Sequence, residues 1–350
     1  MSIVALSHGY PPFWNMGGEV SLHRTMIALN GEKNVLTKTD SKYVFEGVNV
    51  YKINTPDVLD IYADPYPIAN QLVDLGARVV IGQNELSLPA VLAAKKAGAV
   101  SIVNVHTPPR YGGGIHEAML AADYAIYNTK AAAKEWGEPR ALVVHPPIAP
   151  ITGNINAKGD AYTLLSSLVN KGVEVVLELA HKYPDQRFII VRSPAEKTHG
   201  LPNLEKRVAK LPNVELHPRV SPENVHKYLE QTRILLVPSR YETYGMSAIE
   251  AAAYGIPSIH VDTPHVREGI GDAAILIPPL DTDAAIKGIN LIEKDYQKYS
   301  DNARIKAELL QDRQVQELAK LAEFIDKVEK PESNRGRMRS VALATKRYFR

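Results

Sequence analysis

The chain has no cysteine, so disulfides and thiolate metal sites are excluded. No apolar run reaches the ~20 residues that a bilayer-crossing helix requires. The opening residues, MSIVALSHGYPP, lack the basic start and long apolar stretch of a signal peptide. Together these absences give a cytoplasmic protein as the expectation. Charge of one sign is also lacking: 41 Lys and Arg face 39 Asp and Glu, a net charge of +2, so the whole chain is no polycation. No clustered His set has metal-ligand spacing, and no short-period repeat is present. What is present is 350 residues with 45% hydrophobic and 23% charged content, which suits a soluble globular chain long enough for two domains.

Apolar runs that read as strands fall at 2–7, 48–53, 77–82, 100–105, 124–128 and 141–145, with helical stretches at 19–30, 88–97 and 130–136 between several of them. The stretch PPIAPITGNINAKGD (146–160) has no periodicity and reads as a linker. Alternation then restarts. Strands are predicted at 162–167, 187–192, 214–218, 233–239, 257–261 and 273–278. Helices are predicted at 171–183, 203–210, 222–230 and 247–254, with more helix over 283–298 and 302–329. This pattern predicts two α/β domains, each a parallel sheet covered on both faces. The expected divisions are 1–148, a linker at 149–160, a second domain at 161–300, a helical segment at 301–330 and a basic tail at 331–350. Such sheets bind ligands beyond the carboxyl ends of their strands, so the loops there hold the candidate chemistry.

One loop stands out. RILLVPS is a buried-type strand, and SRYETYG follows it. Gly245 permits a tight turn or close backbone approach, and the next helix presents free N–H groups and a positive dipole end. Glu242 would stand at the mouth and Glu250 one turn inside. A second reading makes Ser247-x-x-Glu250 a capping box and Glu242 a solvated acid. Spacing alone leaves both open.

The stretch PSRYETYGMSAIEAAAYGIPSI resembles the Glu-x7-Glu signature of retaining GT-B glycosyltransferases, in particular glycosyltransferase family 4. The resemblance extends to NVELHPRVSPENVHKYLEQTRILLVPS before it, HVREGIGDAAILIPPLDTDAAIKGI after it and LLSSLVNKGVEVVLELA at the start of the second domain. SHGYPPFWNMGGEVSLHRTMIAL, NVHTP and ADYAIYNTKAAAKEW are similar to segments of the family's first domain. The resemblance implies two Rossmann-like domains facing each other across a cleft that holds a nucleotide-diphosphate sugar. It gives Glu250 to the ribose hydroxyls and Glu242 to the transferred sugar. The backbone at Tyr244, Gly245 and Met246 goes to the sugar and diphosphate, and Lys171, Gly17 and Gly18 go to the phosphates. His106 goes beside the sugar's outer hydroxyls. The implied catalytic set is Glu242, His106 and Lys171, with no metal, no cofactor beyond the co-substrate, and a UDP-sugar as the expected donor.

One departure concerns the diphosphate. The family commonly has Gly-Arg before the Lys-Gly, whereas this chain reads Ser166-Ser167-Leu168-Val169-Asn170-Lys171. Arg192 is the expected substitute. Asp281-Thr282-Asp283 spells Asp-x-Asp but precedes a helical stretch, so Asp281 or Asp283 reads better as an N-cap. Residues 335–350 carry six Lys and Arg and no acid. That tail is either a solvated end or a basic amphipathic segment for a polyanion, whether phospholipid headgroups or nucleic-acid phosphates. It would place the protein at a membrane surface or on DNA. The acceptor is accordingly a cell-envelope glycan or lipid, or a hydroxymethylated DNA base as in some phage enzymes. The competing functions are a non-catalytic nucleotide-sugar or nucleic-acid binding module on the same fold and a sugar-nucleotide epimerase.

Overall fold

The computed structural model describes residues 1–14, 16–39, 42–54, 65–109, 114–138, 141–148, 158–193 and 196–330. The expected basic tail and most of the expected linker lie outside them. The chain divides into two compact units. The first runs to Pro147 and resumes at Gln314; the second is Ile148–Arg313.

The first unit contains β1 (Ser2–Ser7), β2 (Glu32–Thr37), β3 (Tyr43–Phe45), β4 (Val48–Lys52), β5 (Ala77–Gln83), β6 (Val100–Val105), β7 (Tyr124–Tyr127) and β8 (Leu142–Val143). Their order is β3-β4-β2-β1-β5-β6-β7-β8. All pairs are parallel except β3 with β4. Alternate residues of the central strands feed opposite faces, as strand geometry demands. Ile3, Ala5, Val35 and Ile81 pack under the helix Gly17–Ala28, whereas Val4, Leu6, Leu36 and Val80 pack under Ser87–Ala97. At Gly82 that second helix comes so close that a Cβ would stand 2.7 Å from the Ala90 Cβ.

The second unit contains β9 (Ala161–Leu164), β10 (Phe188–Val191), β11 (Val214–His217), β12 (Thr232–Val237), β13 (Ser258–Val261) and β14 (Ile275–Ile277). Their order is β11-β10-β9-β12-β13-β14, parallel throughout. The chain builds outward from β9 in one direction and then returns to its other side with β12. That reversal leaves the loops after β9 and β12 side by side, the place where such sheets bind ligands.

Four elements differ from the sequence reading. β2 and β3 were not expected, because EKNVLT begins with three polar residues and YVF is only three long. The helix expected over 222–230 is a 3-10 turn, Pro222–Asn224, followed by the short helix His226–Leu229. The two late helical stretches are Thr282–Lys294 and a continuous 32-residue helix, Tyr296–Lys327, with no break at 300.

That long helix serves both units. Ala303, Ala307 and Leu310 join the core of the second, whereas Leu321, Ile325 and Val328 join the core of the first. Within the first unit, the His145 backbone N–H donates to Glu317 Oε2 at 2.9 Å, and its Nδ1 lies 2.8 Å from Oε1. Arg78 closes the helix end by donating to the carbonyls of Val328 (2.9 Å), Asp326 (3.0 Å) and Ile325. A cationic fork on the last carbonyls complements the helix dipole. Removing the Glu317 carboxylate strands a donor at His145, which is 5% exposed. Glu317→Ala should therefore cost about 1–3 kcal/mol. The expected result is a lower urea midpoint with faster amide exchange over 314–327.

Candidate active site

The two loops at the reversal of the second sheet bring Lys171 and Glu242 together. The loop after β9 ends in a 3-10 turn, Val169–Lys171, and Gly172 adopts φ +87°. A Cβ there would stand 2.6 Å from the Pro238 carbonyl oxygen, so the loop after β12 lies directly against it. The Arg240 N–H donates to the Asn170 carbonyl at 2.8 Å, fastening the two loops backbone to backbone. With the loops joined, Lys171 Nζ donates to Glu242 Oε1 at 2.6 Å, and Ser239 Oγ donates to the same oxygen at 2.8 Å. The Glu242 side chain is 13% exposed and that of Lys171 33%.

Burial alone would push the Glu242 carboxyl up. The Lys171 ammonium, with the hydrogen bonds from Lys171 and Ser239, overcomes that cost and holds it below the usual carboxylate range. Glu242 is thus ionised at neutral pH. Its backbone is fixed as well: Thr263 Oγ1 donates to the Glu242 carbonyl at 3.0 Å and accepts from the Val266 N–H at 3.1 Å, capping the helix Pro264–Glu268.

Beyond Glu242 the chain turns through Tyr244 into Gly245, with φ +84°. Gly245 is the N-cap of the helix Met246–Ala253 and brings no side-chain cap. Ser247 lies inside that helix, so it is not the N-cap of a capping box. A Cβ at Gly245 would stand 2.4 Å from His260 Nε2. Both the backbone angle and the space beneath it require glycine. Glu250 follows one turn into the helix and is partly exposed. The arrangement offers an uncapped helix start and two carboxylates within one turn-and-helix, with a cation from the neighbouring loop.

His260 escaped the sequence reading, since PSIHV scans as an ordinary apolar strand. It is fully buried at the end of β13, with Nδ1 3.1 Å from the Val261 carbonyl and Nε2 without a partner. Burial lowers its pKa, and Glu242 only partly opposes this. The ring is therefore neutral near pH 7, donating at Nδ1 and directing a lone pair beneath Gly245.

Arg192 lies at the end of β10, where its guanidinium donates to Glu196 and Glu205. Ser167 Oγ donates to Glu196 at 2.9 Å and accepts from the Ser193 N–H at 3.0 Å. Arg240 is exposed and its side chain has no partner among the described residues. Asp281 is a helix N-cap, accepting from the Ala284 N–H at 2.8 Å. No group of three or more metal-binding side chains occurs among the described residues.

The first unit holds the other three expected residues. Gly17 and Gly18 open the helix Gly17–Ala28, where a Cβ at Gly17 would meet no atom within 4 Å and one at Gly18 would lie 3.6 Å from Asn84 Nδ2. His106 follows β6; burial lowers its pKa to about 4, and its Nε2 has no partner. It is a neutral imidazole. Glu19, next to Gly18 in the chain, is 5% exposed, and its carboxyl is raised to about 7, first by burial and then by Glu85. No sequence signal marks Glu19, because an acid in a first helical turn is ordinary.

Residues 154–308 match the family Glycosyl transferases group 1. An uncharacterized glycosyltransferase of Haemophilus influenzae is 25% identical over 335 residues, covering 84% of this chain and 93% of that protein. Among solved structures, sucrose-phosphate synthase from Thermosynechococcus elongatus superposes with a TM-score of 0.74 at 15% identity, covering 93% of this chain and 98% of that one. Anabaena HepE in complex with UDP-glucose superposes with a TM-score of 0.74 at 16% identity, covering 94% and 100%. These similarities give the fold as GT-B. No helix among the described residues is long and apolar enough to cross a membrane.

The charge balance around Glu242 is testable without substrate. A carboxylate whose folded pKa is depressed contributes stability above its unfolded value of about 4.3, and loses it as pH falls through the folded value. Lys171→Met leaves burial less opposed and raises that folded value. The stability difference between wild type and variant, from urea unfolding, should be largest near pH 7 and shrink toward pH 4. A difference independent of pH would contradict the pairing.

Proposed function

We propose that this chain, a group 1 glycosyl transferase of the GT-B fold, transfers a hexosyl group from a UDP-sugar to a hydroxyl acceptor with retention of configuration and without a metal. The observation that carries the proposal is the Lys171–Glu242 pair at the reversal of the second sheet, beside the uncapped start of the Met246 helix. In this reading Glu250 accepts from the two ribose hydroxyls, since a carboxylate offers acceptors only. Glu242 accepts from hydroxyls of the transferred sugar. The backbone N–H groups around Tyr244, Gly245 and Met246 meet the diphosphate, and the open space at Gly17 and Gly18 leaves room for an approaching ligand.

The reaction breaks the bond between the sugar's anomeric carbon and the diphosphate oxygen. The acceptor oxygen bonds to that carbon, and its proton passes to the departing phosphate. Negative charge grows on the leaving oxygen, where Lys171 and the helix-start N–H groups stabilise it. His106, neutral through burial, serves as a hydrogen-bonding group for the sugar rather than as a base. The second phosphate cation is better assigned to Arg240 than to Arg192, whose guanidinium already holds two carboxylates. Arg240→Ala should weaken UDP binding about tenfold, the scale of one lost charge-assisted hydrogen bond, and Arg192→Ala should change it little. Isothermal titration with UDP checks both, and the reverse order would return the role to Arg192.

For the acceptor we favour a cell-envelope glycan or lipid. The test offers UDP-, GDP- and dTDP-sugars with two acceptor pools: envelope lipids and glycans, and DNA carrying 5-hydroxymethylcytosine or 5-hydroxymethyluracil. The expected result is a hexose mass increment in the envelope pool, reduced by at least ~100-fold in Glu242→Ala. A sugar on the nucleosides would move the acceptor to DNA. Untouched donor in every mixture would leave a non-catalytic binding module.

A further inference from the structure

Arg313 is the last residue of the second unit, and the helix Tyr296–Lys327 continues from it into the first. Its guanidinium reaches two segments of the candidate site. One nitrogen donates to the Tyr244 hydroxyl at 2.7 Å, and the other donates to the Glu268 carbonyl at 2.9 Å. Tyr244 immediately precedes Gly245, and Glu268 ends the helix that Thr263 ties to Glu242. The next residue, Gly269, packs so closely that a Cβ would stand 3.0 Å from the Tyr244 carbonyl oxygen and 3.2 Å from its ring.

Tyr244 is 3% exposed and lies in an apolar cluster with Ile249, Val266 and Ile270. A phenylalanine would fill that space equally well. The hydroxyl is therefore a polar group carried into the core, and Arg313 supplies its donor. A planar guanidinium can hold acceptors on two chain segments at once, which a lysine ammonium at the same place does poorly.

We propose that Arg313 is a positioning residue for the donor-binding turn, and that through Tyr244 it couples a nucleotide diphosphate bound at that turn to the part of the long helix that leaves the second unit. The inference rests on the donor reading above. The backbone of Tyr244, Gly245 and Met246 takes the diphosphate, and the Tyr244 ring behind it reports the turn's position to Arg313. Because the helix is continuous through Arg313, constraint on the turn reaches amides on both sides of that residue.

The experiment measures UDP affinity by titration and amide exchange over 300–325 with and without saturating UDP. It compares wild type with Tyr244→Phe, Arg313→Lys and Arg313→Met, using thermal melts to confirm folding. In wild type, UDP should slow exchange both over 242–250 and along the helix around 313. In Tyr244→Phe, UDP should bind roughly threefold to tenfold more weakly. At saturation it should still protect 242–250 but no longer the helix. Arg313→Met should behave alike, with Arg313→Lys intermediate. Equal helix protection in wild type and Tyr244→Phe would overturn the inference alone, as would lowered melting temperatures with unchanged UDP affinity. A wild-type protein that binds none of UDP, GDP and dTDP would overturn the donor reading and the inference with it.

Discussion

The second unit is organised around one ion pair. Lys171 and Glu242 are 71 residues apart in sequence and meet only because the chain reverses its direction of sheet building between β10–β11 and β12. Everything near them serves that meeting. Gly172 admits the neighbouring loop, Asn170 and Arg240 pin the backbones, and Ser239 supplies the second donor to the carboxylate. Burial by itself favours the protonated form of this carboxyl, and the Lys171 ammonium and the two hydrogen bonds reverse that preference. The fold thus fixes the charge state as well as the position of the group it presents.

A second constraint is space beneath the backbone. The Gly245 turn rests on the His260 imidazole, and the Gly172 turn rests on Pro238. Both turns use left-handed glycines and admit no side chain on the covered side. This rigidity suits the proposed role of the turn, since backbone N–H donors act best on an anion when their directions are set in advance. His260 contributes by remaining neutral. Protonated, it would be a buried cation near both Lys171 and Glu242, disturbing the pair that defines the site.

Much of this was legible in the sequence. Alternating apolar runs and helical periodicity marked most strands of both sheets, and PSRYETYGMSAIEAAAYG placed two carboxylates around a turn. What escaped lay where local pattern and tertiary context part. EKNVLT is a central strand because β1 and β4 flank it, although four of its six residues are polar. The 222–230 segment follows helical periodicity, yet it divides into a 3-10 turn and a single helical turn. Arg192 had the right charge at a strand end, but Glu196 and Glu205, 4 and 13 residues further along the chain, hold its guanidinium. His260 and Glu19 carry no signal, since their burial is a property of the packed fold. Helical composition over 302–329 likewise does not reveal that its two halves belong to different cores.

That last feature bears on how the molecule can be taken apart. The first unit is built from two separate stretches of chain, and Leu321, Ile325 and Val328 complete its core. A fragment ending at Pro147 would leave that apolar face open and Arg78 without the helix end it closes. The second unit, by contrast, is one uninterrupted stretch, Ile148–Arg313. It is topologically an insertion into the first. Chimeras with relatives must therefore be cut twice, before Ile148 and after Arg313, with the second cut falling in mid-helix. The same geometry lets the second unit diverge as a cassette while both ends of the first remain bound to each other.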